Sequence, residues 1–141
     1  MQCAQIGYNR RGDGMGFTIE DALRESKKRY KMTLLAGEEG CSNAMSWIQM
    51  VEDKTILQQL WGKELVVTTG LGFQSQEKLR EFIEQLIKYH SVGLVINTGK
   101  YIFDIDQDII DYCDELSFPL LTVPWEIHLS LIHISEPTRR S

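Results

Sequence analysis

Three short apolar runs limit what this chain can fold into: Glu64–Gly70, Gly93–Gly99 and Phe118–Pro124. None alternates apolar with polar residues. A strand with one wet face alternates, so these runs predict strands covered on both faces, as in a parallel sheet. Helix-like segments lie between them. The order strand, helix, strand, helix, strand over residues 64–124 calls for right-handed crossovers and neighbouring parallel strands. The fold class expected is therefore α/β: a small, three-layer-like domain with a mostly parallel sheet and flanking helices.

The segments around these runs carry their own signals. Ser75–His90 places Leu79, Phe82, Ile83, Leu86 and Ile87 on one helical face. Ser75 is positioned to cap it, and Glu77 and Lys88 suit the two ends of its dipole. Asp106–Leu116 repeats the pattern with Ile109, Ile110, Cys113 and Leu116. Upstream, Thr18 with Asp21 three residues on reads as a capped helix start running to about Arg29. Met32–Ala36 and Ser46–Val51 read as strands, Gly37–Gly40 as a turn, and Lys54–Trp61 as a short helix. Trp47 and Trp61 are expected to be packing residues.

At 141 residues, with 43% hydrophobic and 25% charged residues, the chain suits one domain with one modest core. Its formal net charge of −5 argues against the chain gripping nucleic acid by itself, because phosphate binding needs a basic face. No run approaches the roughly 18 apolar residues of a membrane span. Residues 1–16 are polar and glycine-rich, with no signal-peptide core, and are expected to be a disordered leader. A cytoplasmic setting follows. Cys3, Cys41 and Cys113 are odd in number and lack CxxC spacing, so no disulfide framework is expected. Cys113 reads as a core residue and Cys41 as a turn thiol. His90, His128 and His133 have no metal-ligand spacing, so no metal and no cofactor are expected.

The final stretch stands apart. Leu129–Arg139 resembles, over eleven consecutive positions, the translation of a sequencing adapter. Residues 129–141 are expected to be an artefactual tail, the natural gene continuing past His128, which leaves residues 17–128 as the domain.

In parallel sheets ligands gather at the carboxyl ends of the strands. Thr68-Thr69-Gly70-Leu71-Gly72 follows the first run and precedes the helix at Ser75. Gly70 and Gly72 let a backbone approach a ligand, and a helix N-terminus offers N–H groups. A tight strand-to-helix turn explains the same residues. The segment is neither a Walker loop nor a dinucleotide fingerprint. Asn97-Thr98-Gly99 takes the equivalent place after the second run, and Asn97 offers both donor and acceptor to a heterocycle edge; an Asx-type turn is the alternative. Trp125 and Glu126 follow the third run, one suited to stacking and one to accepting a ring N–H, with a core or interface role as the other reading of Trp125. No Ser stands in G-x-S-x-G, no Cys–His or paired-acid pattern occurs, and Asp104, Asp106, Asp108 and Asp111 lack the features of a calcium loop. No catalytic residue is assigned, and the reading is not an enzyme.

Four blocks in order, Leu35–Gly40, Trp47–Glu52, Gly62–Gly72 and Phe118–Glu126, resemble the N-terminal domain of PucR-type regulators, the purine catabolism regulatory proteins of bacteria. The likeness runs from about Phe17 to Ile127 and departs after Gly40, where Cys41-Ser42-Asn43 is more polar than the usual pattern. The resemblance implies a ligand-sensing domain of a transcriptional regulator, truncated before a C-terminal helix-turn-helix domain. It implies a small nitrogenous metabolite, a purine or its breakdown product, as partner. DNA would be met only through the missing domain, and a shift of packing or of homodimer arrangement would carry the signal. A free-standing binding or dimerisation domain and, further off, a small hydrolase are the alternatives.

Overall fold

The structure is a computed structural model that describes residues 16–127. The leader up to residue 15 and the tail 129–141 lie outside the described residues, as do His128 and His133. Ten segments follow in order. They are helix α1 (Ile19–Arg29), strand β1 (Thr33–Ala36), a 3-10 turn (Glu38–Ser42), β2 (Trp47–Met50), a second 3-10 turn (Lys54–Gln59), β3 (Glu64–Thr68), α2 (Gln76–Lys88), β4 (Gly93–Thr98), α3 (Gln107–Glu115) and β5 (Leu120–Pro124).

The five strands form one sheet in the order β1-β5-β4-β3-β2. β2, β3, β4 and β5 are parallel, and β1 pairs antiparallel with β5 at one edge, with an irregularity between Leu34 and Ala36. This is the mostly parallel α/β sheet that the unalternated runs call for. β3 and β4 are covered on both faces: Val66, Leu94 and Ile96 join α2 and α3 residues in one core, while Leu65, Val67 and Val95 join α1 residues in the other.

Helix boundaries follow from named caps. The Thr18 side chain accepts from the Asp21 N–H at 3.1 Å, and the Asp21 carboxylate accepts from the Thr18 N–H at 2.9 Å, a full capping box. Burial alone would push the Asp21 carboxyl up; the Thr18 hydrogen bonds and the Arg24 guanidinium outweigh it and hold it below the ordinary value. Ser75 caps α2 through the Lys78 N–H. Both α2 and α3 stop in Schellman turns. Ser91 N–H donates to Leu86 O and His90 N–H to Ile87 O; Phe118 N–H donates to Cys113 O and Ser117 N–H to Asp114 O. The left-handed residues there are His90 (φ 66°) and Ser117 (φ 54°), not glycines.

α2 turns Leu79, Phe82, Ile83 and Leu86 inward, each almost fully buried. Burial of side chains this size is worth about 1.5–3 kcal/mol each. Phe82 also stacks on Phe73, with ring centroids 3.8 Å apart. On α3, Ile109 and Cys113 face the sheet as expected, whereas Leu116, expected on the same face, stands at the C-cap beyond the last turn and is exposed; burial pushes the Cys113 thiol up to about 12. Cys41 is buried too. Burial, then the Glu20 and Glu38 charges, raises its thiol, which faces the Gly37 carbonyl at 3.9 Å. Both effects disfavour the thiolate, which is the reactive form.

The expectation for the tryptophans needs correction. Trp47 and Trp61 are not packing residues: Trp61 is 97% exposed and Trp47 47% exposed. Trp61 precedes the turn at Gly62 and Lys63, both at positive φ, and Trp47 sits on edge strand β2, so neither indole reaches a core. Residues 54–59 form the short helix expected there, and it is a 3-10 helix that ends before Trp61. The segment is too short to amortise helix nucleation and carries two β-branched residues, Thr55 and Ile56.

Candidate functional site

Because β2 to β5 run parallel, their carboxyl ends line one edge of the sheet. In spatial order that rim carries Glu52 after β2, Thr68 and Thr69 at β3, Asn97 and Thr98 at β4, and Pro124 and Trp125 at β5. The three sequence-derived segments are brought together, and β3 and β4 are neighbours, as are β4 and β5. Thr98 stands opposite Pro124 in the ladder.

Glu52 organises the β2–β3 half, and the sequence reading missed it. Its carboxylate accepts from the Thr68 hydroxyl at 3.0 Å, the Thr69 hydroxyl at 2.8 Å and the Thr69 N–H at 2.9 Å. Both threonine hydroxyls accept in turn from the backbone two residues on, Gly70 N–H at 3.1 Å and Leu71 N–H at 3.3 Å. Each hydroxyl therefore both donates and accepts within the loop. This is a carboxylate clamp on an ST-type turn. The only sequence hint was the pair of carboxylates Glu52 and Asp53 directly after an apolar strand.

The two glycines of this loop are places of close approach. Gly70 has φ +89°, and a Cβ there would stand 2.5 Å from the Ile102 side chain. At Gly72 a Cβ would stand 2.4 Å from the Glu52 carbonyl oxygen. The glycines therefore let the β3–α2 loop lie against the β4–α3 loop and against the end of β2. This contact accounts for them without a ligand.

Asn97 is 2% exposed. Its side-chain amide donates to Val123 O at 2.9 Å, Pro124 O at 3.0 Å and Ile127 O at 3.3 Å. Its N–H groups thus hold the chain leaving β5 and do not face the rim. The neighbouring Thr98 is half-buried, and its hydroxyl has no hydrogen-bond partner among the described residues. Gly99, at φ +117°, packs against Trp125 and donates to Ile102 O at 2.8 Å.

At the β5 end Trp125 is half-buried. Tyr101 meets it edge to face, with centroids 5.7 Å apart and planes at 87°. The Lys100 ammonium lies 5.4 Å from the Trp125 ring and 5.5 Å from the Tyr101 ring, within cation–π range. Glu126 forms an exposed ion pair with Lys31 and points along the surface. The rim thus presents an acceptor-rich end at Glu52, an open hydroxyl at Thr98 and an aromatic, cationic end at Trp125 and Lys100. Among the described residues no group of His, Cys, Asp and Glu side chains could hold a metal ion. No helix there is long and apolar enough to cross a membrane.

Residues 21–136 match the Purine catabolism regulatory protein-like family. The chain belongs to that family. It is also 33% identical over 97 residues to the "Purine catabolism regulatory protein" of Bacillus subtilis (strain 168), an alignment covering 68% of this chain and 18% of the relative. The chain therefore spans under a fifth of the length of that relative. No solved structure matches it. The match to the purine catabolism regulatory protein-like family takes in all five strands and so the whole rim.

Proposed function

We propose that residues 17–128 are the ligand-sensing part of a regulator of purine catabolism, and that the ligand sits on the rim at the strand ends. The observation that carries this reading is the run of side chains from Glu52 through Thr98 to Trp125 along one edge of the sheet. It is a mixed surface of acceptor, hydroxyl and aromatic groups, beside two loops locked together at Gly70 and Ile102. A small nitrogenous metabolite, a purine or one of its breakdown products, offers N–H groups to Glu52 and a flat face to Trp125. An anionic ligand is disfavoured at the β2–β3 end, because the Glu52 carboxylate already holds the Thr69 N–H there.

In this reading the domain does no chemistry and sits in the cytoplasm. DNA is contacted by a domain following the described residues, and ligand binding biases that domain by preferring one of two arrangements. The test is calorimetric titration of the chain with purine bases and their ring-opened products, on wild type, Glu52→Gln and Thr98→Val. Saturable binding weakened tenfold or more in either variant supports the rim. Binding untouched in both variants, or no binding by any compound in the series, sinks it. In the full-length regulator, the same variants should remove the ligand's effect on promoter affinity.

A further inference from the structure

The chain leaves the sheet through a turn that the end of β4 holds at three of its four residues. The Ile127 N–H donates to Pro124 O at 2.9 Å and closes the turn over Pro124–Ile127. Pro124 stands opposite Thr98 in the β4–β5 ladder. Trp125 packs on Gly99, where a Cβ would stand 3.1 Å from the Trp125 Cβ, and its ring meets Tyr101 and Lys100. Ile127 O accepts from the Asn97 amide. The fourth residue, Glu126, pairs with Lys31 instead.

Asn97 is the centre of this attachment. Its amide nitrogen faces Val123 O at 2.9 Å, Pro124 O at 3.0 Å and Ile127 O at 3.3 Å. A side-chain amide has two N–H groups. Two protons therefore serve three carbonyl oxygens, and one proton is shared between two of them. Ile127 O, at the longest distance, is the acceptor most readily given up. Asn97 and Thr98 are successive residues of a strand, so their side chains leave opposite faces of the sheet. Asn97 lies on the face where Val95, Val123 and Ile127 pack, and Thr98 on the face of Leu94 and Ile96. The peptide they share connects the open hydroxyl at the rim to the donor that holds the exit.

We propose that the Pro124–Ile127 turn is the output element of this domain and that Asn97 is the residue that positions it. Filling the rim at Thr98 shifts the end of β4, and the shared amide proton answers by keeping or releasing Ile127 O. The inference rests on the ligand-sensing reading for what fills the rim. A switch requires one element with two arrangements that an occupant prefers unequally. Two donors facing three acceptors are such an element: Val123 O and Pro124 O are held in both arrangements, and Ile127 O in one. Asn97 touches no ligand in this scheme and acts through the turn.

The test is amide hydrogen exchange on the full chain, with Thr98→Met filling the rim position in place of a ligand. The Ile127 exchange rate is read relative to that of Leu86 in α2, which removes any change in global stability. With Asn97 in place, Thr98→Met is expected to change that ratio tenfold or more. In Asn97→Ala it should change the ratio less than twofold, because the exit is already released. Asn97→Val, which suits a strand and has no donor, repeats the second measurement if the alanine variant does not fold. An asparagine that only stabilises the turn gives the same factor for Thr98→Met with and without Asn97. A push passed directly from Thr98 to Pro124 gives that result too, and it overturns the proposal. So does an Ile127 amide that Thr98→Met leaves unmoved while Asn97 is present. No purine or purine product enters the experiment, so a failure of ligand binding in the calorimetric titration stays distinct from a failure of this coupling.

Discussion

The Glu52 carboxylate and the Thr69 backbone are joined across two strands: Oε2 accepts from the Thr69 N–H at 2.9 Å, and Oε1 from its hydroxyl at 2.8 Å. The bond ties the end of edge strand β2 to the end of β3, next to the loop contact of Gly70 with Ile102. Glu52→Ala strips three donors of their acceptor at a half-buried position. It is expected to cost about 1–3 kcal/mol, read as a lower urea midpoint with unchanged slope.

Asn97 plays the matching role at the other half of the rim. Asn97→Ala leaves the carbonyls of Val123, Pro124 and Ile127 without that donor and opens a small cavity. A loss of about 2–3 kcal/mol is expected. Hydrogen exchange should become faster at the Ile127 amide, which bonds to Pro124 O, while protection in α2 falls only with global stability.

The left-handed residues closing α2 and α3 predict a gain. His90 and Ser117 hold positive φ values that cost an L-residue roughly 1 kcal/mol. His90→Gly and Ser117→Gly are each expected to leave the Schellman hydrogen bonds intact and to raise the melting temperature. A lowered melting temperature in both would contradict the strain argument.

Gly37 should tolerate nothing larger. It has φ +77°, and a Cβ would stand 2.1 Å from the Phe118 carbonyl oxygen, which is backbone and has nowhere to move. Gly37→Ala is expected to destabilise by about 2–4 kcal/mol, enough to show as loss of soluble protein or a sharply lowered urea midpoint.

Cys113 gives a pH signature. Burial raises its thiol from the ordinary 9.0 to about 12. Above pH 9 the unfolded chain releases a proton that the folded chain keeps, so the unfolded state binds fewer protons and stability falls as pH rises. The slope from this group is about 1.4 kcal/mol per pH unit between pH 9 and 12. Cys113→Ala should flatten the stability curve over that window. Neither Cys113 nor Cys41 should react with an alkylating reagent at pH 8 until the protein unfolds.

The parallel strands were legible because burial on both faces removes alternation, and Glu64–Thr68 shows that directly. The caps at Thr18 and Ser75 were legible because capping is local chemistry between residues three apart. The place of β1 was not. Its pairing with β5 joins Thr33 to Thr122 across most of the chain, and no local period encodes that. The rim was legible as a set of strand ends, and its inner workings were not. Nothing in the sequence tells which way the Asn97 amide points, or that Glu52 folds back onto Thr69 and does not face water. Trp61 misled for a related reason: residue type suggests burial, and the turn at Gly62 decides against it.

The hold of Asn97 on Ile127 has one more consequence. β4 is the middle strand of five, the part of the sheet least free to yield. The polypeptide beyond Ile127 thus begins its course from a point fixed to the stiffest member of the frame, as a lever begins at its fulcrum. Any displacement of the Asn97 amide would be passed straight to the chain at Ile127 through that hydrogen bond.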